Sequence, residues 1–99
     1  TVFRVVINDD IDQFDAKDYY DYVTRMTNQN INYPANPPIK SFPDWANNII
    51  NMAKRDAALR TYNTKRAAKA KLTMIKRYSN SYNIDGWVEE ATAISWRRV

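Results

Sequence analysis

The chain has 99 residues, of which 44% are hydrophobic, and a formal net charge of +4 at pH 7. It contains neither Cys nor His, which excludes disulfides, thiolate nucleophiles, imidazole acid–base catalysis and the usual zinc sites. Carboxylate, Lys and Tyr chemistry alone supports few enzymes. We therefore expect one small domain over residues 1–99 that is not an enzyme and has no cofactor.

The sequence also lacks the patterns of export and membrane insertion. No basic region followed by an apolar run of roughly 7–15 residues opens it, and nowhere do about 18 consecutive apolar residues occur. We expect no signal peptide and no membrane span, and a location in the cytoplasm or within a virus-like particle.

Charge is segregated along the sequence. Residues 1–21 hold two cations and six Asp, a formal charge of −4, whereas residues 54–77 hold nine Lys or Arg and one Asp, a formal charge of +8. This polarity favours an anionic partner for the basic segment, and it equally favours head-to-tail packing of copies of the chain.

The first predicted element is a strand, because Val, Phe or Ile fill five of the six positions 2–7. A strand has to pair its backbone groups. We expect the partner to be either another chain or the C-terminal ATAISWRRV, residues 91–99, in which Thr92, Ile94 and Trp96 alternate.

An acidic stretch follows, in which Asp recurs at every third residue from Asp9 to Asp21. A calcium loop of the EF-hand type needs oxygen ligands at alternate positions, then a Gly and a Glu. No Gly follows here and the spacing is three rather than two. We therefore predict no metal site and assign these carboxylates to helix starts.

The same stretch carries the signals of a helix N-terminus. Asp15 and Asp18 have the spacing of an N-cap and an N3 residue, where carboxylates are favourable. Phe14 and Tyr19 occupy the two positions of a hydrophobic staple. The pattern predicts an acidic helix over about 16–28.

Residues 28–43 contain all four prolines of the chain and predict an extended, polyproline-like connection. A connection of this length is usually functional or packed at an interface. We expect a strap laid over the core or over a neighbouring subunit. A weaker alternative is a ligand for an SH3-type domain, since Pro34 and Pro37 form a P-x-x-P pattern.

The next helix is predicted from Ser41 and Asp44, which have the spacing of a capping box. Neither Gly nor Pro interrupts residues 44–78, so we predict one long or kinked basic helix there rather than two helices. The alternative is a break at TYNT, residues 61–64, where helix propensity is low. At ~100° per residue, one side collects small and apolar residues that we expect to be buried. They are Ala46, Ile50, Ala53, Ala57, Thr61, Thr64, Ala68, Leu72 and Ile75.

Beyond a turn-rich segment at 79–86, the C-terminal residues are compatible with two structures. Trp87, Val88, Ala91 and Ile94 have helical spacing, whereas the residues from Ala91 onward alternate as in a strand. Helix and strand both stay open for this segment. Taken together, the elements predict a fold that is mainly α with minor β.

The nine cations of the basic segment are the candidate nucleic-acid-binding residues. Several Lys and Arg within reach of one phosphate backbone bind it by neutralising charge and releasing counterions. No helix-turn-helix, ribonucleoprotein or zinc-finger signature accompanies them, so we expect no readout of base sequence. The candidates are Lys54, Arg55, Arg60, Lys65, Arg66, Lys69, Lys71, Lys76 and Arg77.

These patterns predict a non-catalytic structural subunit of a nucleoprotein or virion-type assembly. The expected partners are nucleic acid, copies of the chain or other assembly subunits. A buried side made mostly of Ala and Thr contributes little burial per residue, which favours oligomeric support. The alternative is a protein–protein adaptor or scaffold subunit whose basic helix docks on an acidic protein surface. DNA, RNA and acidic protein all stay open as the partner of that helix.

Overall fold

A computed structural model describes residues 1–32, 38–78, 84–92 and 95–99. Within these ranges, the fold predicted as mainly α with minor β is confirmed. The elements in chain order are strand β1 (Phe3–Ile7), a 3-10 turn (Ile11–Gln13), helices α1 (Ala16–Asn32), α2 (Phe42–Ala57) and α3 (Lys65–Tyr78), and strands β2 (Gly86–Ala91) and β3 (Trp96–Arg98).

The three strands form one antiparallel sheet in the order β1-β2-β3. The strand predicted at the N-terminus is confirmed, but its expected pairing with residues 91–99 is wrong, because β2 lies between β1 and β3. Val5 opposite Val88 places two buried side chains on one face of the sheet. That burial fixes the register, since a slip of either strand by one residue would turn its valine to the other face.

Helices α2 and α3 cover the buried face of the sheet. Ile49, Ile50 and Ala53 of α2 and Ala68 and Ile75 of α3 are almost completely buried in the core between the layers. Ala68 is fully excluded from solvent, and such small side chains let the helix backbone approach the strands closely. The core is therefore modest in volume but closely packed.

The expectation of one long or kinked helix over 44–78 is wrong. The chain leaves the helix at Ala57 and re-enters it at Lys65. Between these points Tyr62 is buried, and its backbone N–H and C=O form a bridge with those of Phe3 at 2.8 Å each. Thr64 then caps α3 by accepting from the Ala67 N–H at 3.1 Å. A contact to a strand distant in sequence outweighs the uninterrupted helical pattern, so the alternative break at TYNT is the observed structure.

Helix α1 begins where the sequence predicts. Asp15 Oδ1 accepts from the Lys17 N–H at 3.0 Å, as an N-cap does. Its first turns attach to α2 through an aromatic cluster around buried Trp45, whose ring centroid lies 5.3 Å from those of both Phe14 and Tyr19. Tyr22 and Phe42 complete this cluster.

The connection predicted over 28–43 is shorter than expected, because α1 continues to Asn32 and α2 begins at Phe42. Pro34 and Pro37 of the P-x-x-P pattern lie outside the described residues. The described part lies against α1, where Tyr19 donates a hydrogen bond to the Lys40 C=O and Tyr22 accepts one from the Lys40 N–H. Ser41 caps α2 as predicted, although its bond from the Asp44 N–H is long at 3.4 Å.

The molecule is elongated, with extents of 55 × 21 × 18 Å and a radius of gyration of 16.4 Å, against about 13 Å for a compact domain of this length. Beyond the aromatic cluster the described side chains of α1 are at most half-buried, and Ile31 near its end is 74% exposed. In the part of the chain that the structure describes, no helix is both long and apolar enough to cross a membrane.

Candidate nucleic-acid interface

Helix α3 has one buried side and two exposed flanks. Ala68 and Ile75 are buried against the sheet, and Leu72 packs beside them against the core. The helix is therefore held along its length by its own apolar side. Its remaining side chains are fixed in direction by the helical step of ~100° per residue.

Five cations lie on one exposed flank of α3 and are called here the cationic stripe. At ~100° per residue they occupy an arc of about 120°, and at ~1.5 Å per residue they extend over about 18 Å. All five side chains are exposed, and within the described ranges none has an ion-pair partner. The stripe consists of Lys65, Arg66, Lys69, Lys76 and Arg77.

Lys71 does not belong to the stripe, although the sequence places it among the same candidates. It lies on the opposite flank of α3, where its Nζ contacts Asp56 Oδ1 of α2 at 2.9 Å. The Lys71 side chain is only 19% exposed. This ion pair joins α2 to α3, so Lys71 differs from the five stripe residues, which have no ion-pair partner in the part of the chain that the structure describes.

Of the remaining three candidates, Lys54 and Arg55 lie in the last turn of α2 and Arg60 lies in the connection to α3. Lys54 and Arg60 line a groove beside the free edge of β1, and the Arg60 guanidinium lies 4.9 Å from the centre of the Tyr62 ring. Arg55 lines a different, shallow depression with Leu59. The structure thus divides the nine predicted residues into a stripe of five, one internally paired Lys and three cations near the α2–α3 connection.

Among the described residues, no carboxylate of the acidic N-terminal stretch forms an ion pair with the stripe. Two of its carboxylates act locally, with Asp10 capping the 3-10 turn and Asp15 capping α1. In the described structure, ion pairs to side chains involve Asp56, Glu89 and Glu90 instead. Charge of both signs is therefore left for contacts outside the chain.

The outer face of the sheet, opposite the helices, carries aromatic and charged side chains that the sequence analysis did not select. Cross-strand neighbours Arg4, Glu89 and Arg98 form one row across the three strands. Arg4 lies 4.1 Å from the centre of the Trp96 ring and Arg98 4.5 Å from that of Trp87. This row could be predicted from the sequence only through the register of the strands, and the register can be assigned only once β2 is identified as a strand.

Glu89 is the electrostatic centre of that outer face. Its Oε2 accepts from the Trp87 indole N–H at 3.1 Å, and its Oε1 accepts from Arg4 at 2.8 and 3.0 Å. The indole hydrogen bond, together with the charges of Arg4 and Arg98, outweighs partial burial and holds the pKa of Glu89 below its usual range. Both Arg side chains are thereby used within the sheet rather than left for a ligand.

Comparisons of the chain with protein-family models, with curated proteins and with solved structures give no match.

Proposed function

We propose that this protein is a non-catalytic structural subunit of a nucleoprotein or virion-type assembly, in which α3 contacts the phosphates of nucleic acid without reading base sequence. The observation that carries the proposal is the cationic stripe. It places five exposed cations without ion-pair partners among the described residues on one flank of a helix whose apolar side is fixed to the sheet.

The attachment of α3 supports this role. A helix held by Ala68, Leu72 and Ile75 presents its charges without having to fold on binding, so no ordering cost is added for the backbone. The cations of the stripe are spread over about 18 Å, which matches a repeating phosphate chain better than a single small anion.

The composition of α3 supports binding that is independent of sequence. Base readout in the major groove uses Arg, Asn and Gln grouped at one part of a helix. Residues 65–78 contain neither Asn nor Gln, and their two Arg are separated by more than two turns. Such a helix is suited to phosphate contacts along its length.

The salt dependence of binding tests the proposal. For five phosphate contacts, the logarithm of the binding constant to B-DNA falls with a slope of about −4.5 against the logarithm of salt concentration. Between about 50 and 200 mM salt, affinity would then fall about 500-fold, and a single strand would give a slope of about −3.5. A flat response would overturn the proposal.

The second candidate function is a protein–protein adaptor or scaffold subunit. It is favoured by the acidic stretch of residues 9–21, whose carboxylates make no ion pair with the described cations. In this alternative, the stripe of one copy docks on the acidic stretch of another copy or of a different protein. Molecular mass in solution, measured with and without nucleic acid, separates the two. Association without nucleic acid supports the adaptor, and association only on adding it supports the nucleoprotein subunit.

A further inference from the structure

Strand β1 is an edge strand whose outer edge is only partly paired. At Phe3 the edge is closed by the backbone bridge to Tyr62. The segment that precedes Tyr62 leads back to α2 instead of following β1. No described strand therefore continues along β1 beyond that bridge. An unpaired edge is a template for another strand.

The alternation of an antiparallel ladder identifies the unpaired groups. Phe3 directs its N–H and C=O away from β2, so Val5 and Ile7 direct theirs the same way. The pairing on the other side agrees, since the Asn8 N–H donates to Asp85 of the chain leading into β2. Two donors and two acceptors therefore face the outer edge without a partner among the described residues, although Val5 and Ile7 are each only 5% exposed.

A groove of about 450 Å³ lies along this edge. We call it the edge groove; β1 forms one wall, and Lys54, Ala57, Ala58 and Arg60 form the other. The two alanines leave room beside the strand because their side chains are short. The groove thus lies next to the unpaired backbone groups of β1.

The charges around the edge groove have one sign. Lys54 and Arg60 line it without an ion-pair partner in the described structure, and Arg4, which is paired with Glu89, also lines it. Among the described residues, no Asp or Glu side chain lines the groove. Charge complementarity therefore favours an acidic occupant over a second copy of β1, which would bring the same cations.

We propose that the edge groove binds an extended acidic segment of a partner protein, which adds to the sheet as a fourth strand beside β1. Backbone hydrogen bonds to Val5 and Ile7 hold the segment, and its carboxylates face Lys54 and Arg60. This is the strand-addition mode of peptide recognition, with backbone pairing for affinity and side chains for selection.

The edge groove suits a peptide better than a nucleic acid. Val5 and Ile7 offer C=O acceptors as well as N–H donors, at the spacing of alternate residues in a strand. A peptide strand supplies both complementary groups, whereas phosphate oxygens only accept. The groove is also separate from the cationic stripe, so this proposal stands or falls independently of the function proposed for α3.

The test uses the full chain labelled for NMR and a short peptide of alternating Asp and Val, with a peptide of alternating Lys and Val as control. We expect saturable binding of the acidic peptide below about 1 mM and slower amide exchange at Val5 and Ile7. The amides of Arg4 and Val6, which face β2, should change little and serve as an internal control.

Matched charge reversals locate the binding site. Lys54→Glu should weaken binding of the acidic peptide about tenfold. Arg55→Glu makes the same change in net charge at the adjacent, exposed position outside the groove, and it should change binding less than about twofold. The amide spectrum of each variant shows whether it remains folded.

Three results would overturn the proposal. The first is the absence of saturable binding by the acidic peptide, and the second is equal weakening by Lys54→Glu and Arg55→Glu. The third is slower exchange at Val5 and Ile7 with a single-stranded oligonucleotide but not with the peptide, which would assign the groove to nucleic acid.

Discussion

Helices α1 and α3 have similar lengths, 17 and 14 residues, and are attached to the molecule in different ways. Helix α3 lies on the sheet and buries Ala68 and Ile75. Helix α1 is attached at its first turns through the aromatic cluster, and the described residues of its second half are exposed or half-buried. The difference shows that the protein consists of a packed body and an extending arm.

Charge follows the same division. The acidic carboxylates lie at the base of the arm, and the cationic stripe lies on the body. Because neither group is neutralised by the other within the described structure, both are available to partners. A rigid cationic surface suits a polyanion, whereas an arm suits contacts between subunits.

The largest expected effect on the free energy of unfolding comes from making the same substitution, Ile to Ala, in the body and in the arm. Ile50→Ala removes a side chain that is 2% exposed and should lower the free energy of unfolding by about 2–5 kcal/mol. Ile31→Ala makes the same change at a position that is 74% exposed, with an expected effect within about 0.5 kcal/mol. Chemical denaturation of both variants tests the division, and equal losses would contradict it.

The next effect tests the close packing of α3 on the sheet. At Gly86, an added Cβ would lie 2.6 Å from the Val6 backbone O and 2.9 Å from Leu72 Cδ1. Gly86→Ala should therefore destabilise the protein by about 1–3 kcal/mol. Adding Leu72→Ala should relieve only the second contact. The double variant should therefore be more stable than the sum of the two single effects predicts, without recovering the full stability lost in Gly86→Ala. If the effects of the two substitutions were simply additive, α3 would not be in close contact with position 86.

A smaller effect concerns the outer face of the sheet. Because the folded pKa of Glu89 lies below its ordinary 4.5, its charged form stabilises the protein above the unfolded pKa. That contribution is lost as pH falls below about 4.5 through the folded value. Glu89→Gln should therefore lose less stability than the unsubstituted protein between about pH 6 and pH 3, as measured by urea denaturation.

The neighbouring variant Glu90→Gln is the control for that experiment. Glu90 pairs instead with exposed Arg97 at the edge of the sheet. It should keep most of the acid sensitivity that Glu89→Gln removes. An unchanged acid sensitivity in Glu89→Gln would contradict the role given to the Trp87 and Arg4 contacts.

The sequence was sufficient where the signals are local. The caps at Asp15 and Ser41 and the β-branched run of β1 depend on neighbours a few residues away, and these predictions are confirmed. The start of α2 is one turn or less from the predicted one. Local hydrogen bonds and side-chain preferences are enough for such features.

The prediction failed where distant contacts decide. The helical periodicity of apolar residues is continuous over residues 44–78, so no feature of the neighbouring sequence indicates that Tyr62 pairs with Phe3. The helical spacing of Trp87, Val88 and Ala91 likewise competed with the alternation of buried Gly86 and Val88 that builds β2. Both segments take the structure that the sheet imposes on them.

The candidate site shows the same limit. Charge alone selected nine cations, but it gave no reason to separate Lys71 from Lys69. Their roles differ because Asp56, fifteen residues before Lys71, lies beside it in the folded chain. The contact between α2 and α3 therefore determines which cations remain available.

The most direct test of the account is the salt slope of nucleic-acid binding in Lys69→Gln and Lys71→Gln. Both variants remove one Lys charge from the same helix, two residues apart. If the cationic stripe contacts phosphates, Lys69→Gln reduces the magnitude of the slope by about one and Lys71→Gln leaves it unchanged. Equal slopes in the two variants would contradict the assignment of the stripe as the nucleic-acid interface.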